Sequence, residues 1–343
     1  MSGGANESTR VWITWETQRR NKELAQSFRC AYFCFEYPGK SSVLRYLRNS
    51  WCTLMLVLRT KPAIVFAQCP SLGLVLLLGV LRKVRVFVFI IDAHNVAVDH
   101  CAAPRFLLRS FARFSLRTAD IVLVSNQALA AQVAELGGTA MILPDKVPQI
   151  PIRPRPALMD AFRPSSAQAS KAPDVTITLI STFAFDEPIE RFLKALDGVK
   201  PSFILFITGK KDRAGDLLGY ASERVHFTDF LPDEEYEALI QHSDLLVDLS
   251  TQKHCLVCGA YEAIAVGVPV LLSDDPVVRD TFPEGCLYAR NSIDAYVEVL
   301  DHFFAHRDDY RSGMRKLQHS FPVKWQTCFT QVEKAVEERA RTL

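Results

Sequence analysis

A chain of 343 residues with 49% hydrophobic and 23% charged residues is long enough for two separately packed cores and too apolar to be disordered. Its nine cysteines, an odd number without framework spacing, argue against a disulfide scaffold and fit reduced thiols in a cytosolic setting. A net charge of +2 hides an asymmetry: residues 1–150 hold 18 Lys and Arg against 9 Asp and Glu, and the remainder 22 against 29.

In chain order, short apolar runs alternate with polar helical stretches, which predicts an α/β protein with parallel sheets covered on both faces. The polar start MSGGANESTR carries no secretory pattern and leads into strand-like VWITW. First-half strands are predicted at 11–15, 30–35, 63–67, 84–91, 120–124 and 140–143. Trp15-Glu16-Thr17-Gln18-Arg19-Arg20-Asn21 leaves the first strand and opens a helix. Arg19 and Arg20 offer planar forks of donors suited to phosphate oxygens, with a solvated helix start as the competing reading. Ile91-Asp92-Ala93-His94-Asn95 ends an apolar strand in hydrogen-bonding groups, at the carboxyl end where doubly wound sheets bind ligands. His94 is a candidate general base, since imidazole titrates near working pH. A cap for the next segment is the alternative, and Asp92 and Asn95 also suit an ordered turn.

Between Glu36 and Asp92 there is no acid but there are eight bases, among them Arg45, Arg48 and Arg59, interleaved with Tyr46, Leu47, Trp51 and Leu54. That mixture on an amphipathic helix suits an anionic membrane surface. Arg105, Arg109, Arg113 and Arg117 follow at four-residue spacing, along one helix face where like charges repel unless an anion offsets them. A solvated basic face is the plain alternative. Nucleic acid is not expected as a partner, because no reading motif is evident. The longest apolar run, Leu72 to Leu81, has about half of the roughly 20 residues a spanning helix needs. The expectation is a cytoplasmic protein, peripheral on the inner face of the membrane.

Residues 144–173 contain seven prolines and the run Ser165-Ser166-Ala167-Gln168-Ala169-Ser170, a composition unfit for a helix or a central strand. The expected organisation is therefore a first domain at 1–150, a linker at 151–173, a second domain at 174–322 and a C-terminal helix at 323–343. Second-half strands are predicted at 175–181, 203–208, 224–227, 244–249, 268–273 and 286–288. The last but one follows HCLVCGAYEAIAVG, residues 254–267, which reads as a loop, a helix opened at Gly259 and a stop at Gly267. A helix N-terminus with unpaired N–H groups suits a phosphate, and Glu262, one turn in, can accept from a sugar hydroxyl.

This stretch resembles the donor-site signature of the group 1 glycosyltransferases. Glu262-Ala263-Ile264-Ala265-Val266-Gly267-Val268-Pro269-Val270 matches its E-A-x-A-x-G-x-P-V half, while its first acidic position falls on His254. The resemblance implies two Rossmann-like, doubly wound domains facing across a cleft, the GT-B fold, with the C-terminal helix packing back on the first domain. It further implies a nucleotide diphosphate sugar as donor, no obligatory cofactor or metal, and retention of configuration. Cys258, Gly259, Ala260, Tyr261 and Glu262 are then donor-binding, with His254 and His94 catalytic. Phe230 and Leu231 match the loop that cradles the nucleobase. Family members take an Arg/Lys pair from the turn after the first second-domain strand; residues 181–187 contain no base, so Gly209, Lys210, Lys211 and Arg213 are the candidates for that role. Glu16, Arg19, Arg20, Asp92 and Asn95 are candidates for acceptor or phosphate. Arg45, Arg48, Trp51, Arg105, Arg109, Arg113 and Arg117 are expected to face the membrane.

The expected function is transfer of a sugar to a lipid-linked or glycan acceptor in polysaccharide or glycoconjugate biosynthesis. A GT-B epimerase or phosphorylase, or a sugar-binding subunit that has lost its chemistry with the first acidic position, are the alternatives. Cys255 and Cys258 form a C-x-x-C too poor in neighbouring ligands for zinc and without a thioredoxin-like context. No serine elbow, P-loop or G-x-G-x-x-G occurs, which argues against a hydrolase triad, a P-loop NTPase or a dehydrogenase.

Overall fold

The computed structural model describes residues 9–37, 42–69, 71–93, 95, 98, 106–161 and 175–342. The chain divides into two compact units, Met1–Lys146 with Lys324–Leu343, and Val147–Val323. Unit 1 holds strands β1 (Arg10–Thr14), β2 (Ala31–Cys34), β3 (Ile64–Cys69), β4 (Val88–Ala93), β5 (Ile121–Val124) and β6 (Ala140–Ile142). All pairs are parallel, in the order β2-β1-β3-β4-β5-β6. Every residue of β3 and β4 is buried, as strands covered by helices on both faces must be. The flanking helices are α1 (Arg19–Ser27), α2 (Ser42–Thr60), α3 (Leu72–Leu81), α4 (Phe106–Thr118) and α5 (Gln127–Glu135).

Strand β4 departs from its expected span of 84–91. Val84 and Val86 are each 73% exposed and precede it. At its other end Asp92 continues the buried strand because an arginine neutralises it, as described below. Helix α2 buries Asn49, Thr53 and Val57 along one stripe, and Trp15 Nε1 donates to Thr53 Oγ1 at 3.0 Å.

Unit 2 holds β7 (Val175–Leu179), β8 (Phe203–Thr208), β9 (Val225–Asp229), β10 (Leu245–Asp248), β11 (Val270–Ser273) and β12 (Cys286–Ala289), in the parallel order β12-β11-β10-β7-β8-β9. Counted within the unit this is the doubly wound order 3-2-1-4-5-6. Its helices are α6 (Ala157–Ala161), α7 (Ile189–Ala195), α8 (Asp233–Gln241), α9 (Cys258–Val266), α10 (Pro276–Thr281) and α11 (Ile293–Ala305). Helix α6 is a correction to the reading of 151–173 as a linker without helix. Met159 is buried with Ile204, Phe206 and Leu239, Arg153 Nε donates to Glu237 at 2.8 Å, and Gln241 donates to the Pro151 carbonyl at 2.6 Å. Proline fixes the backbone but leaves its carbonyl and neighbouring side chains free to dock. Residues 162–173 of the expected linker lie outside the described residues.

Helix α12 (Arg307–Arg341) begins well before the expected 323. Met314, Leu317 and Phe321 are buried in unit 2, and Trp325, Phe329, Val332 and Val336 in unit 1. The Phe329 ring lies tilted against Phe28 with centres 4.7 Å apart, and Trp325 Nε1 donates to the Pro144 carbonyl at 2.9 Å.

Candidate active site

In an open parallel sheet, ligands bind beyond the carboxyl ends where the strand order reverses. In unit 2 that point lies between β7 and β10, and the loops leaving both strands are bolted together there. Ser250 Oγ donates to Asp186 Oδ2 at 2.7 Å and the Thr251 amide to the Asp186 carbonyl at 2.8 Å. Helix α9 starts at this point. It ends at Gly267, whose left-handed φ of 71° suits glycine, with the Val268 amide returning to the Ala263 carbonyl at 3.1 Å.

The start of α9 is set by Asp248, half-buried at the end of β10, whose Oδ2 accepts from the Gly259 amide at 2.8 Å. A Cβ on Gly259 would meet that oxygen at 2.5 Å and Ile180 Cδ1 at 2.9 Å, so only glycine lets the helix approach this closely. Burial pushes the Asp248 carboxyl up to about 8, against the Gly259 hydrogen bond and with the charges of Glu262, Glu187 and Asp186 adding to the rise. The upward shift lessens the negative charge that this carboxyl places beside the helix N-terminus.

Glu262 is 8% exposed and accepts a short hydrogen bond from the Tyr236 hydroxyl of α8. Tyr236 was not a candidate from sequence: it stands 26 residues away on a helix whose acidic start draws the eye. The side chains of Ala260 and Tyr261 are fully buried, and Tyr261 packs edge-on to Phe282 and Phe321. Only their backbone groups are left for a ligand. Cys258 is exposed and Cys255 half-buried. His254 has a left-handed φ of 59°; its amide donates to Asp275 Oδ2 at 3.2 Å, and its Nδ1 stands 3.9 Å from Oδ1 of the same carboxylate. With Asp248, Ser250, Ser273 and Asn291 it lines a polar cavity of about 370 Å³.

The turn after β8 contains Gly209 at φ 110°, where a Cβ would stand 2.5 Å from the Ser181 carbonyl oxygen. Lys210, Lys211 and Arg213 beyond it are exposed. The Lys210 ammonium lies 5.7 Å from the centre of the Phe230 ring, itself 67% exposed, and Leu231 is half-buried. Asp229 ties the two segments by accepting from the Lys211 amide at 3.0 Å and the Phe230 amide at 2.8 Å; those hydrogen bonds hold its carboxyl below the ordinary range. In the loop after β7, where family members carry bases, Glu187 instead accepts from the Thr182 and Phe183 amides, each at 3.0 Å. Among the described residues no group of three or more His, Cys, Asp or Glu side chains is placed to hold a metal ion.

Unit 1 requires larger corrections. Arg20 does not reach outward for phosphate. It is buried, with Nε 3.0 Å and Nη2 2.8 Å from the fully buried Asp92 carboxylate, Nη2 2.9 Å from the Leu143 carbonyl and Nη1 on Asp145. Burial works to lower the Arg20 pKa, and the two carboxylates outweigh it, holding it above its ordinary value. Arg20 and Asp92 thus form an internal ion pair joining α1 to β4. Glu16 and Arg19 are exposed, Arg19 standing 3.8 Å from Glu23, and Asn95 is half-buried. His94 lies outside the described residues, as does Arg105. Of the other α4 arginines, Arg109 is exposed, Arg113 is half-buried, and Arg117 Nε donates to the Leu136 carbonyl at 2.8 Å. Arg117 therefore closes the end of α5 rather than facing outward alone. On α2, Arg45 and Arg48 are exposed beside Val43, Leu44, Leu47 and Trp51, each more than 60% exposed. Among the described residues no helix is long and apolar enough to cross a membrane.

Two family patterns match the chain: the glycosyl transferase 4-like domain over residues 10–151 and glycosyl transferases group 1 over residues 164–317. No curated protein matches it in sequence. Among solved structures, sucrose-phosphate synthase from Thermosynechococcus elongatus is similar with a TM-score of 0.76 at 15% identity, over 98% of this chain and 100% of the other. Anabaena HepE in complex with UDP gives 0.70 at 12% identity, over 96% and 100%. The apo lipopolysaccharide outer core galactosyltransferase WaaB gives 0.64 at 15%, over 96% and 99%. At these identities the likeness carries the fold alone, and the fold is GT-B. The two family matches complete the identification: the chain belongs to the group 1 glycosyltransferases and is a glycosyltransferase.

Proposed function

We propose that this protein transfers a sugar from a nucleoside diphosphate sugar to a lipid-linked or glycan acceptor at an anionic membrane surface, in polysaccharide or glycoconjugate synthesis. The observation that carries the reading is the start of α9 at the strand-order reversal of unit 2, with Glu262 one turn in. First-turn amides of α9 receive the diphosphate, Glu262 accepts from the ribose, and Phe230 and Leu231 border the base. Lys210, Lys211 and Arg213 supply the positive charge that a departing diphosphate needs, in place of an obligatory metal. Complexes of HepE with UDP and UDP-glucose support a donor of this class. His254 stands where the family pattern has an acid and donates to the transferred sugar rather than accepting from it; retention of configuration is proposed on the family resemblance. His94 serves the acceptor hydroxyl as base. Replacing Glu262 by alanine is expected to weaken nucleotide binding by roughly 10- to 150-fold, the loss of one hydrogen bond to a charged group, with the fold unchanged by circular dichroism. A folded variant that binds nucleotide as tightly as the wild type rejects the donor site.

The acceptor side of the proposal rests on α2. An exposed row of Val43, Leu44, Leu47 and Trp51 beside Arg45 and Arg48 suits the boundary between headgroups and acyl chains. The protein would then be peripheral on the cytoplasmic face. Co-sedimentation with vesicles containing anionic lipid should be salt-sensitive, since each base near the surface contributes up to about 1 kcal/mol. The combined Arg45→Gln, Arg48→Gln and Trp51→Ala variant should be released while keeping its nucleotide affinity. Sedimentation with neither neutral nor anionic vesicles at low salt would point to a soluble acceptor.

A further inference from the structure

We propose that Tyr236 is a positioning residue for the donor: its phenol holds the Glu262 carboxylate in the orientation that accepts the ribose hydroxyls. The inference rests on the reading of Glu262 given above and assigns a role to a residue that the family pattern does not mark. Glu262 is buried, and a buried carboxylate is costly unless hydrogen-bond donors meet its oxygens. The Tyr236 hydroxyl supplies one directly to Oε2. Left to itself, a glutamate side chain on a helix samples several rotamers, and ordering it at the moment of binding costs affinity. A rigid phenol on a neighbouring helix removes that cost beforehand.

The placement of Tyr236 adds a second consequence. Helix α8 begins immediately after Phe230-Leu231-Pro232, and the Tyr236 amide closes its first turn on the Pro232 carbonyl at 2.9 Å. The segment proposed to border the base therefore also carries the group that aims the ribose acceptor. A shift of that loop is carried to Glu262 through the Tyr236 side chain, so contact with the base and contact with the ribose are linked.

The test is a double-mutant cycle on the full chain, read by calorimetry with whichever of UDP, GDP and ADP the wild type binds most tightly. Tyr236→Phe keeps the ring and removes the hydroxyl; it should weaken binding by roughly tenfold, raise the donor KM by a similar factor and leave kcat at saturating donor unchanged. In the Glu262→Ala background the same change should have no further effect. A thermal midpoint close to the wild type's separates this from loss of packing, and Tyr236→Leu, which also removes the ring, serves as the packing control. Binding by Tyr236→Phe equal to the wild type, or a loss of the same size with and without Glu262, overturns the proposal. If Glu262→Ala alone binds normally, the donor site itself is wrong, a result distinguishable because it appears before Tyr236 is touched.

Discussion

Arg20→Leu is expected to destabilise unit 1 by roughly 3–5 kcal/mol, the usual cost of removing one partner from a buried ion pair. Asp92 has no exposure to water and accepts from the Arg20 guanidinium at 3.0 Å and 2.8 Å; without Arg20 it must either stay charged in the interior or take up a proton. The double variant Arg20→Leu with Asp92→Asn should recover much of the loss, because an amide replaces the stranded charge. All four tryptophans, Trp12, Trp15, Trp51 and Trp325, lie in unit 1, so urea unfolding followed by intrinsic fluorescence reports on this unit directly. A single variant as stable as the wild type, or a double variant no better than the single, would show that the pair is dispensable. Because the pair occupies both Arg20 and Asp92, neither is available as a primary contact for phosphate, and the search for acceptor contacts in unit 1 narrows to Glu16, Arg19, His94 and Asn95.

Arg20 and Asp92 mark the boundary between what is legible in the sequence and what is not. Each of the twelve strands among the described residues overlaps a span expected from sequence, and β3 and β4, buried on both faces, have no polar alternation to obscure them. Boundaries failed where charge was neutralised or where apolar residues were exposed. Asp92 looks like the end of a strand until Arg20, 72 residues earlier, is placed against it; Val84 and Val86 look like strand until they are found in solvent. Helix α9 was legible because its cues are local: Gly259 at the start, Glu262 one turn in, Gly267 at the stop. Tyr236 was not, because its contact with Glu262 joins helices of separate strand–helix units, and the grips of Glu187 on Thr182 and Phe183 and of Asp248 on Gly259 depend on loop backbone conformation that residue types alone do not fix. The four arginines of 105–117 illustrate the same limit from the other side. Equal spacing suggested equal roles, yet Arg109 is exposed, Arg113 half-buried and Arg117 tied to the Leu136 carbonyl.

Gly259→Val should give the largest loss of activity. Even the first side-chain carbon would stand 2.5 Å from Asp248 Oδ2, 2.9 Å from Asp248 Cβ and 2.9 Å from Ile180 Cδ1, and the two further methyls of valine add to the crowding. The end of β10 cannot retreat, because Val247 and Asp248 are paired to β11 and the Ile180 amide to the Val247 carbonyl at 2.8 Å. The helix must therefore move, carrying its first-turn amides and Glu262 with it. Overpacking of this kind costs about 1–3 kcal/mol of stability, and a displacement of about 1 Å in a positioning element can cost about 100-fold in rate. The expected result is a folded protein with a lowered thermal midpoint, kcat/KM reduced by at least about 100-fold and nucleotide binding weakened in parallel. Gly259→Ala with Asp248→Ala and Ile180→Val removes the nearest oxygen and the Cδ1 methyl, and should regain part of both. Nucleotide affinity unchanged in a folded Gly259→Val variant would mean that the start of α9 does not hold the donor.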